Sequence, residues 1–375
     1  MLIVLAWPAR ASAQTSQVDL RDALRAAFHK PPPSGNGSPD ETVRTLLPTL
    51  TYNPAIGVAV GGAMNVAARR SGPDGSLSTF QITAAFTTQK QLLMAARNDL
   101  HTAHDAWAVV GDSRFYNAVQ TTYGLGSDSP EGAGTAVDYY WTRVAQTLYR
   151  RVKGPLQFGV GYQLDYFADI TPRDGTSLPD AYPQSATTAS GVSAGALVDT
   201  RDSSLNANRG VYGRATYYTY PTWLGSDTSW QSVQLEARVF THLASRRRQV
   251  VALWSQVWLT TAGEPPYLNL PSVGWDTYGR TARGYTAGRY RGRDWLYVES
   301  EYRFDVLANG FLGGVAFLNA STLSDAKDVF GSWALAGGAG LRVKLDKRHG
   351  TNLAMDVSFG RGGSKGVWFG LNEAF

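Results

Sequence analysis

Beyond Leu46 the chain alternates between apolar and polar residues with a period of two, the signature of strands that carry one greasy and one polar face. In Pro155 to Asp169, Leu156, Phe158, Val160, Tyr162, Leu164 and Tyr166 interleave with Gln157, Gly159, Gly161, Gln163 and Asp165. Thr351 to Gly360 sets Leu353, Met355, Val357 and Phe359 against Asn352, Asp356 and Ser358. In 333–346, Trp333, Leu335, Leu341, Val343 and Leu345 oppose Gly338, Gly340, Arg342, Lys344 and Asp346. In 294–306, Leu296, Val298, Ser300, Tyr302 and Phe304 oppose Trp295, Tyr297, Glu299, Glu301, Arg303 and Asp305. A soluble sheet would bury the greasy faces in a core, whereas a transmembrane barrel turns them to lipid and the polar faces to a wet lumen.

Turn signals cut the alternating region into sixteen predicted strands at 47–53, 55–69, 76–88, 91–99, 106–117, 134–151, 154–169, 187–201, 209–220, 228–243, 248–262, 294–306, 310–320, 331–346, 351–360 and 366–375. Long connections at 118–133, 170–186, 263–293 and 321–330 contrast with short ones such as Val152-Lys153 and Lys347-Arg348-His349-Gly350. An even strand count with long loops at one end and short turns at the other is the plan of a bacterial outer-membrane barrel. The expected fold is therefore all-β, a 16-stranded antiparallel transmembrane β-barrel of a Gram-negative outer membrane, in contact with its lipid and lipopolysaccharide.

Composition agrees. The chain has 40 Gly, 19 Tyr, 11 Trp, no Cys and 17% charged residues, and no apolar run approaches the roughly 20 residues of a membrane helix. A mean hydropathy of −0.23 does not oppose membrane residence, because half of each barrel strand is polar. Residues 1–13, MLIVLAWPARASA, read as a truncated signal peptide. Residues 14–46 hold one short helical pattern (Val18, Leu20, Leu24, Ala27, Phe28) and a linker, and 47–375 form the barrel. The final residues place Val367, Phe369 and Leu371 at alternate positions before Phe375, a pattern like the C-terminal barrel signal that assembly machinery binds as an edge strand. Pro48 and Pro54 would weaken the first strand and hence the seam it shares with the last.

Candidate chemistry is sparse. Of five His, only His101-Thr102-Ala103-His104-Asp105 clusters, and neither a nucleophilic triad with supporting context nor an H-E-x-x-H metal pattern is present. No enzyme activity, catalytic residue, metal or cofactor is expected, and no motif points to nucleic acid. A net charge of +5 is too diffuse to set an ion preference.

A series of short motifs in the second half resembles the outer-membrane assembly and secretion barrels typified by BamA and TamA, the bacterial surface antigen superfamily. Asp199-Thr200-Arg201-Asp202 with Arg209-Gly210 looks like the family's DTRD…RG turn, so Asp199, Arg201, Asp202 and Gly210 are its candidate residues. Leu235-Glu236-Ala237-Arg238 follows, Ala282-Arg283-Gly284-Tyr285 matches the VRGY/VRGF loop signature except at its first residue, and Glu301-Tyr302-Arg303-Phe304 and Gly340-Leu341-Arg342 complete the series.

The resemblance implies that the signature loop folds inward from the cell exterior and that Arg283, Gly284 and Tyr285 lock it to the lumen wall. The implied partners are the inward row Glu299, Glu301 and Asp305, or the strand carrying Phe317 and Asn319. The family's F-x-D-x-G reads Phe317, Asn319 and Ser321 here, so Asn319 would accept a hydrogen bond from Arg283 without bringing charge, and Glu301→Gln would loosen the loop more than Asn319→Ala. The 33 residues of 14–46 are too few for a POTRA domain, so the likeness is to a barrel-only member whose substrate capture falls to a periplasmic or outer-membrane partner protein. The implied function is help with insertion or translocation of proteins or lipids across the outer membrane. The alternative is a passive pore or structural protein that keeps the fold without that activity.

Overall fold

A computed structural model describes residues 17–29, 42–53, 57–69, 76–173, 185–243, 247–347 and 350–375. The predicted signal stretch and most of the linker lie outside them. Among the described residues, one sheet of sixteen strands, each hydrogen-bonded antiparallel to the next in sequence, dominates the structure. The strands are β1 (Val43–Asn53), β2 (Gly57–Arg69), β3 (Leu77–Thr87), β4 (Leu92–His101), β5 (Trp107–Thr122), β6 (Thr135–Lys153), β7 (Leu156–Pro172), β8 (Ala186–Asp199), β9 (Gly210–Tyr220), β10 (Trp230–His242), β11 (Gln249–Gly263), β12 (Trp295–Asp305), β13 (Leu312–Leu323), β14 (Ala334–Asp346), β15 (Thr351–Gly360) and β16 (Lys365–Leu371). Each predicted strand has its counterpart.

The polarity of the two faces is inverted relative to a soluble sheet. In β12, Trp295, Tyr297, Glu299, Glu301 and Arg303 are buried while Val298 and Tyr302 are exposed. Val160, Leu335 and Phe359 point outward with 60% or more of their surface free. Such an apolar exterior around a polar interior is stable only against lipid.

Several strand ends differ from expectation, β5 running on to Thr122, β7 to Pro172 and β13 to Leu323, and two further ends and one side chain's facing have local reasons. β1 begins at Val43 rather than at 47 because Val43 to Leu46 continue the ladder against Met64 to Ala67. β16 stops at Leu371, since Asn372 adopts φ +66° and turns the chain inward. Leu345, expected on the outward row, is buried: the register between β14 and β15 shifts between Lys344 and Asp346, and the bulge rotates its side chain inward.

A short helix, α1 (Leu20–Ala27), begins at a capping box between Asp19 and Asp22. It docks at the short-turn end of the sheet, where Val18 N donates to Asn309 O (3.1 Å), Lys347 Nζ donates to Asp22 (2.6 Å), and Leu20 packs on Ala63, Leu345 and Leu371. These three belong to β2, β14 and β16, so the helix touches both flanks of the β1/β16 seam. β16 lies beside β1, but among the described residues no ladder joins them.

Candidate functional site: a loop fastened inside the sheet

The connection 264–294 between β11 and β12 folds back along the polar interior. A bridge between Ser272 and Arg291 closes its neck, and Val273 N donates to Tyr290 O (3.1 Å). The Asp276 carboxylate shapes its tip, accepting from Arg280 N (2.8 Å), Thr281 N and Thr281 Oγ1 (both 2.7 Å). On either side of Arg283 the backbone is left-handed, with φ +55° at Ala282 and +117° at Gly284. Only glycine serves at 284, because a Cβ there would stand 2.6 Å from Ala336 Cβ on β14.

This path delivers Arg283 into a cage of carboxylates, 1% exposed. Its Nη2 donates to both Glu299 and Glu301, and its Nη1 donates to Asp356 on β15 (2.6 Å). Phe317 supports the flat of the guanidinium at 3.7 Å from its ring centre. Burial by itself would lower the Arg283 pKa, but Glu299, Glu301 and Asp356 together hold it well above the ordinary guanidinium value. The cage extends outward: Arg303 donates to Glu301 (2.6 Å), Arg342 to Asp356 (2.6 Å) and Glu373 (2.7 Å), and Tyr297 OH to Glu299. A guanidinium whose fork is divided among three acceptors fixes both position and orientation, which a lysine could not do.

Asn319 takes a different part from the one expected. Its Nδ2 donates to the backbone oxygen of Arg283 (3.0 Å), while its Oδ1 is buried without a partner. The third charge comes from Asp356, visible in the sequence only as one inward position of β15. Tyr285 OH donates to Leu335 O (2.6 Å) and accepts from Arg361 N (2.8 Å), and Ser364 Oγ donates to Gly284 O (2.6 Å), so the loop also holds the β15–β16 connection.

Arg280 was not singled out from the sequence. Its guanidinium donates to the backbone oxygens of Leu371 (2.5 Å), Asn372 (3.3 Å) and Glu373. Nothing in the local pattern marks it, because its acceptors are main-chain atoms 91 to 93 residues away. The loop thus grips the last hairpin at both ends and the wall between them.

The remaining predicted residues sit at the short-turn end. Arg201 Nη2 pairs with Asp199 (2.7 Å), and Asp202 accepts from Asn208 N (2.9 Å), tying the 200–209 turn to itself. Gly210 has φ +107°, and a Cβ there would lie 2.4 Å from Thr200 O. Asn206 reaches across to Gly350 O (3.3 Å) on the β14–β15 turn. Of the terminal pattern, Phe369 faces outward, but Leu371 and Phe375 are buried. The inward turn at Asn372 lays Phe375 on Trp254 (5.0 Å between ring centres) and brings its oxygen to Arg303 Nη2 (3.0 Å). Phe375 therefore does not extend an outward row.

The loop leaves the β3–β11 side unfilled, where a cavity of about 540 Å³ remains. Among the described residues no three His, Asp or Glu side chains converge as a metal site requires.

No family model matches the sequence, and no curated protein matches it. Solved structures do. BamA from Haemophilus ducreyi lacking POTRA domains 1-3 superimposes with a TM-score of 0.54 at 12% identity, covering 88% of this chain and 69% of that one. CdiB from Acinetobacter baumannii gives 0.56 at 12% identity, covering 88% and 59%. CdiB from Escherichia coli gives 0.58 at 11% identity, covering 88% and 62%. The chain thus spans about three fifths of the CdiB chains, and at these identities the likeness is one of architecture: the protein shares the fold of BamA and CdiB.

Proposed function

We propose that this chain is an outer-membrane barrel that aids insertion or translocation of proteins or lipids, and that the 264–294 loop is its internal latch. The observation that carries this reading is the Arg283 cage. A passive pore can also be narrowed by an inward loop, but here one buried guanidinium shared among three carboxylates gathers the fastening at a single point. A barrel that must open gains a two-state fastening, stable when engaged and solvated when released. The same loop holds the last hairpin through Arg280, Gly284 and Tyr285, so releasing it frees β16 beside the β1 edge, and an unpaired strand edge can template an incoming strand. In this reading the long loops face the cell exterior, the α1 end faces the periplasm, and the apolar girdle meets membrane lipid and lipopolysaccharide. A periplasmic partner protein would supply substrate capture.

The test is planar-bilayer conductance of the purified barrel with and without residues 281–293, beside insertion of an unfolded barrel substrate into proteoliposomes. A latch gives a low, flickering conductance that rises on deletion, and insertion that Arg283→Ala alters. A large, steady conductance indifferent to the deletion, with no insertion, would establish the passive pore instead.

A further inference from the structure

The cavity beside the loop is lined by charges that are already spent. Arg114 pairs with Asp112 (2.5 Å), Arg201 with Asp199 (2.7 Å), and Arg214 and Arg238 with Glu236 (2.9 and 2.6 Å). Arg214 and Arg238 share Glu236, but the six arginines that line the chamber stand among seven carboxylates, so it carries no large excess of either sign. Partnerless polar atoms occur around the chamber, among them Arg143 Nε and Gln157 Oε1, and a wholly neutral group of them lies on the inner faces of β10 and β11.

Gln234 and Trp258 are directly opposed across the β10–β11 ladder, and Gln256 is the next inward residue after Trp258 along β11. Trp230 lies two inward positions from Gln234 on β10. Among the described residues the amides of Gln234 and Gln256 make no hydrogen bond, although both line the cavity. The indole N–H groups of Trp230 and Trp258 are buried without an acceptor, and Trp230 is 3% exposed. Trp258 is only half-buried: it packs against the buried cluster of Trp254, Trp295 and Tyr297, but no ring or guanidinium stacks on it among the described residues. The four strands β9 to β12 around it pair with one another along their length, with one bulge at Gln231/Ser232, so β10 and β11 present no open edge to which an incoming chain could add as a strand.

We infer that this patch is a binding site for an uncharged, polyhydroxylated ligand, a short saccharide. Buried donors without partners are costly and mark groups kept for something that satisfies them. Saccharide hydroxyls can donate to the Gln234 and Gln256 carbonyls and accept from their N–H₂ groups and from the two indoles, while the C–H face of a pyranose lies on the unstacked face of Trp258. The volume falls within the roughly 300–1,000 Å³ of small-ligand pockets. The proposal goes beyond the translocation reading and holds whether or not the barrel moves proteins.

The test is titration of the purified full chain in detergent, following tryptophan fluorescence, with maltotriose as probe and an uncharged tripeptide of similar size in parallel. Maltotriose is expected to give a saturable change with half-saturation on the order of 1 mM. Gln234→Leu with Gln256→Leu should raise that concentration roughly tenfold, and Trp258→Phe, which keeps a ring but removes the N–H, several-fold. Trp223→Phe, at an exposed loop 79% free to solvent, should leave it unchanged. The proposal is overturned if the wild-type chain shows no saturable response up to about 50 mM, if the Gln double variant or Trp258→Phe binds like wild type, or if the tripeptide binds more tightly than maltotriose.

Discussion

Removing the Arg283 guanidinium does not strand its three acceptors equally. In Arg283→Ala, Glu301 keeps Arg303 at 2.6 Å and Asp356 keeps Arg342 at 2.6 Å, whereas Glu299 keeps only the Tyr297 hydroxyl. Taking one partner from a buried ion pair costs about 3–5 kcal/mol, largely because the other charge stays buried and uncompensated. The seated loop should thus lose that amount relative to the open one, and Glu299 should account for most of it. Neutralising the orphan in the double variant Arg283→Ala/Glu299→Gln should recover about 1–3 kcal/mol, a non-additivity a double-mutant cycle would read directly. Because the chain contains no cysteine, a single Thr286→Cys reports loop opening through its labelling rate by a water-soluble maleimide. With opening in rapid equilibrium, Arg283→Ala should label roughly two to four orders of magnitude faster. The double variant should fall between. Labelling of Arg283→Ala no faster than the parent would refute the latch, and an additive double variant would refute the assignment to Glu299.

Glu301→Gln, which weakens the ties to both Arg283 and Arg303, should open the Thr286→Cys loop more than Asn319→Ala, which removes one neutral hydrogen bond of about 1 kcal/mol; equal rates would break that ordering. Gly284→Ala should prevent seating, because φ +117° and Ala336 Cβ at 2.6 Å both exclude a methyl group, and its loop should be cut by protease in the otherwise folded barrel. Arg280→Met should speed hydrogen exchange across 365–375 while leaving that of β12 unchanged, since its acceptors are the oxygens of 371–373. The hydrogen bond from Lys347 holds the Asp22 carboxyl below its ordinary 3.8. A depressed carboxyl contributes to docking of α1 above about pH 4 and loses that contribution as pH falls through its folded pKa, so spin labels at Arg25 and Asn309 should separate only below about pH 4, and Asp22→Asn should remove that dependence.

Strand number, order and facing were legible because period-two alternation is a local property repeated sixteen times. The failures share one cause: they depend on atoms far off in sequence or on a single residue's backbone. Leu345 reads as outward until the bulge against β15 turns it, and Phe375 reads as strand until Asn372 takes a left-handed turn. Glu299 and Glu301 could be nominated from their own strand, but Asp356 could not be tied to Arg283 from one strand's parity. Arg280 could not be found at all, because main-chain acceptors leave no trace in side-chain pattern.

The sequence separation of the latch partners also orders assembly in time. Hairpins such as β6–β7, joined through residues 154–155, close over a few residues and form early. Arg283 meets Asp356 across 73 positions and Arg280 meets Glu373 across 93, so the loop cannot seat until β15 and the chain beyond β16 are in place. A nascent sheet that stops short of β15 must hold Arg283 solvated and its interior wet. Loop seating is thus the final step of folding, and a chain stalled before it should be recognisable as a nearly complete sheet whose interior still exchanges freely with water.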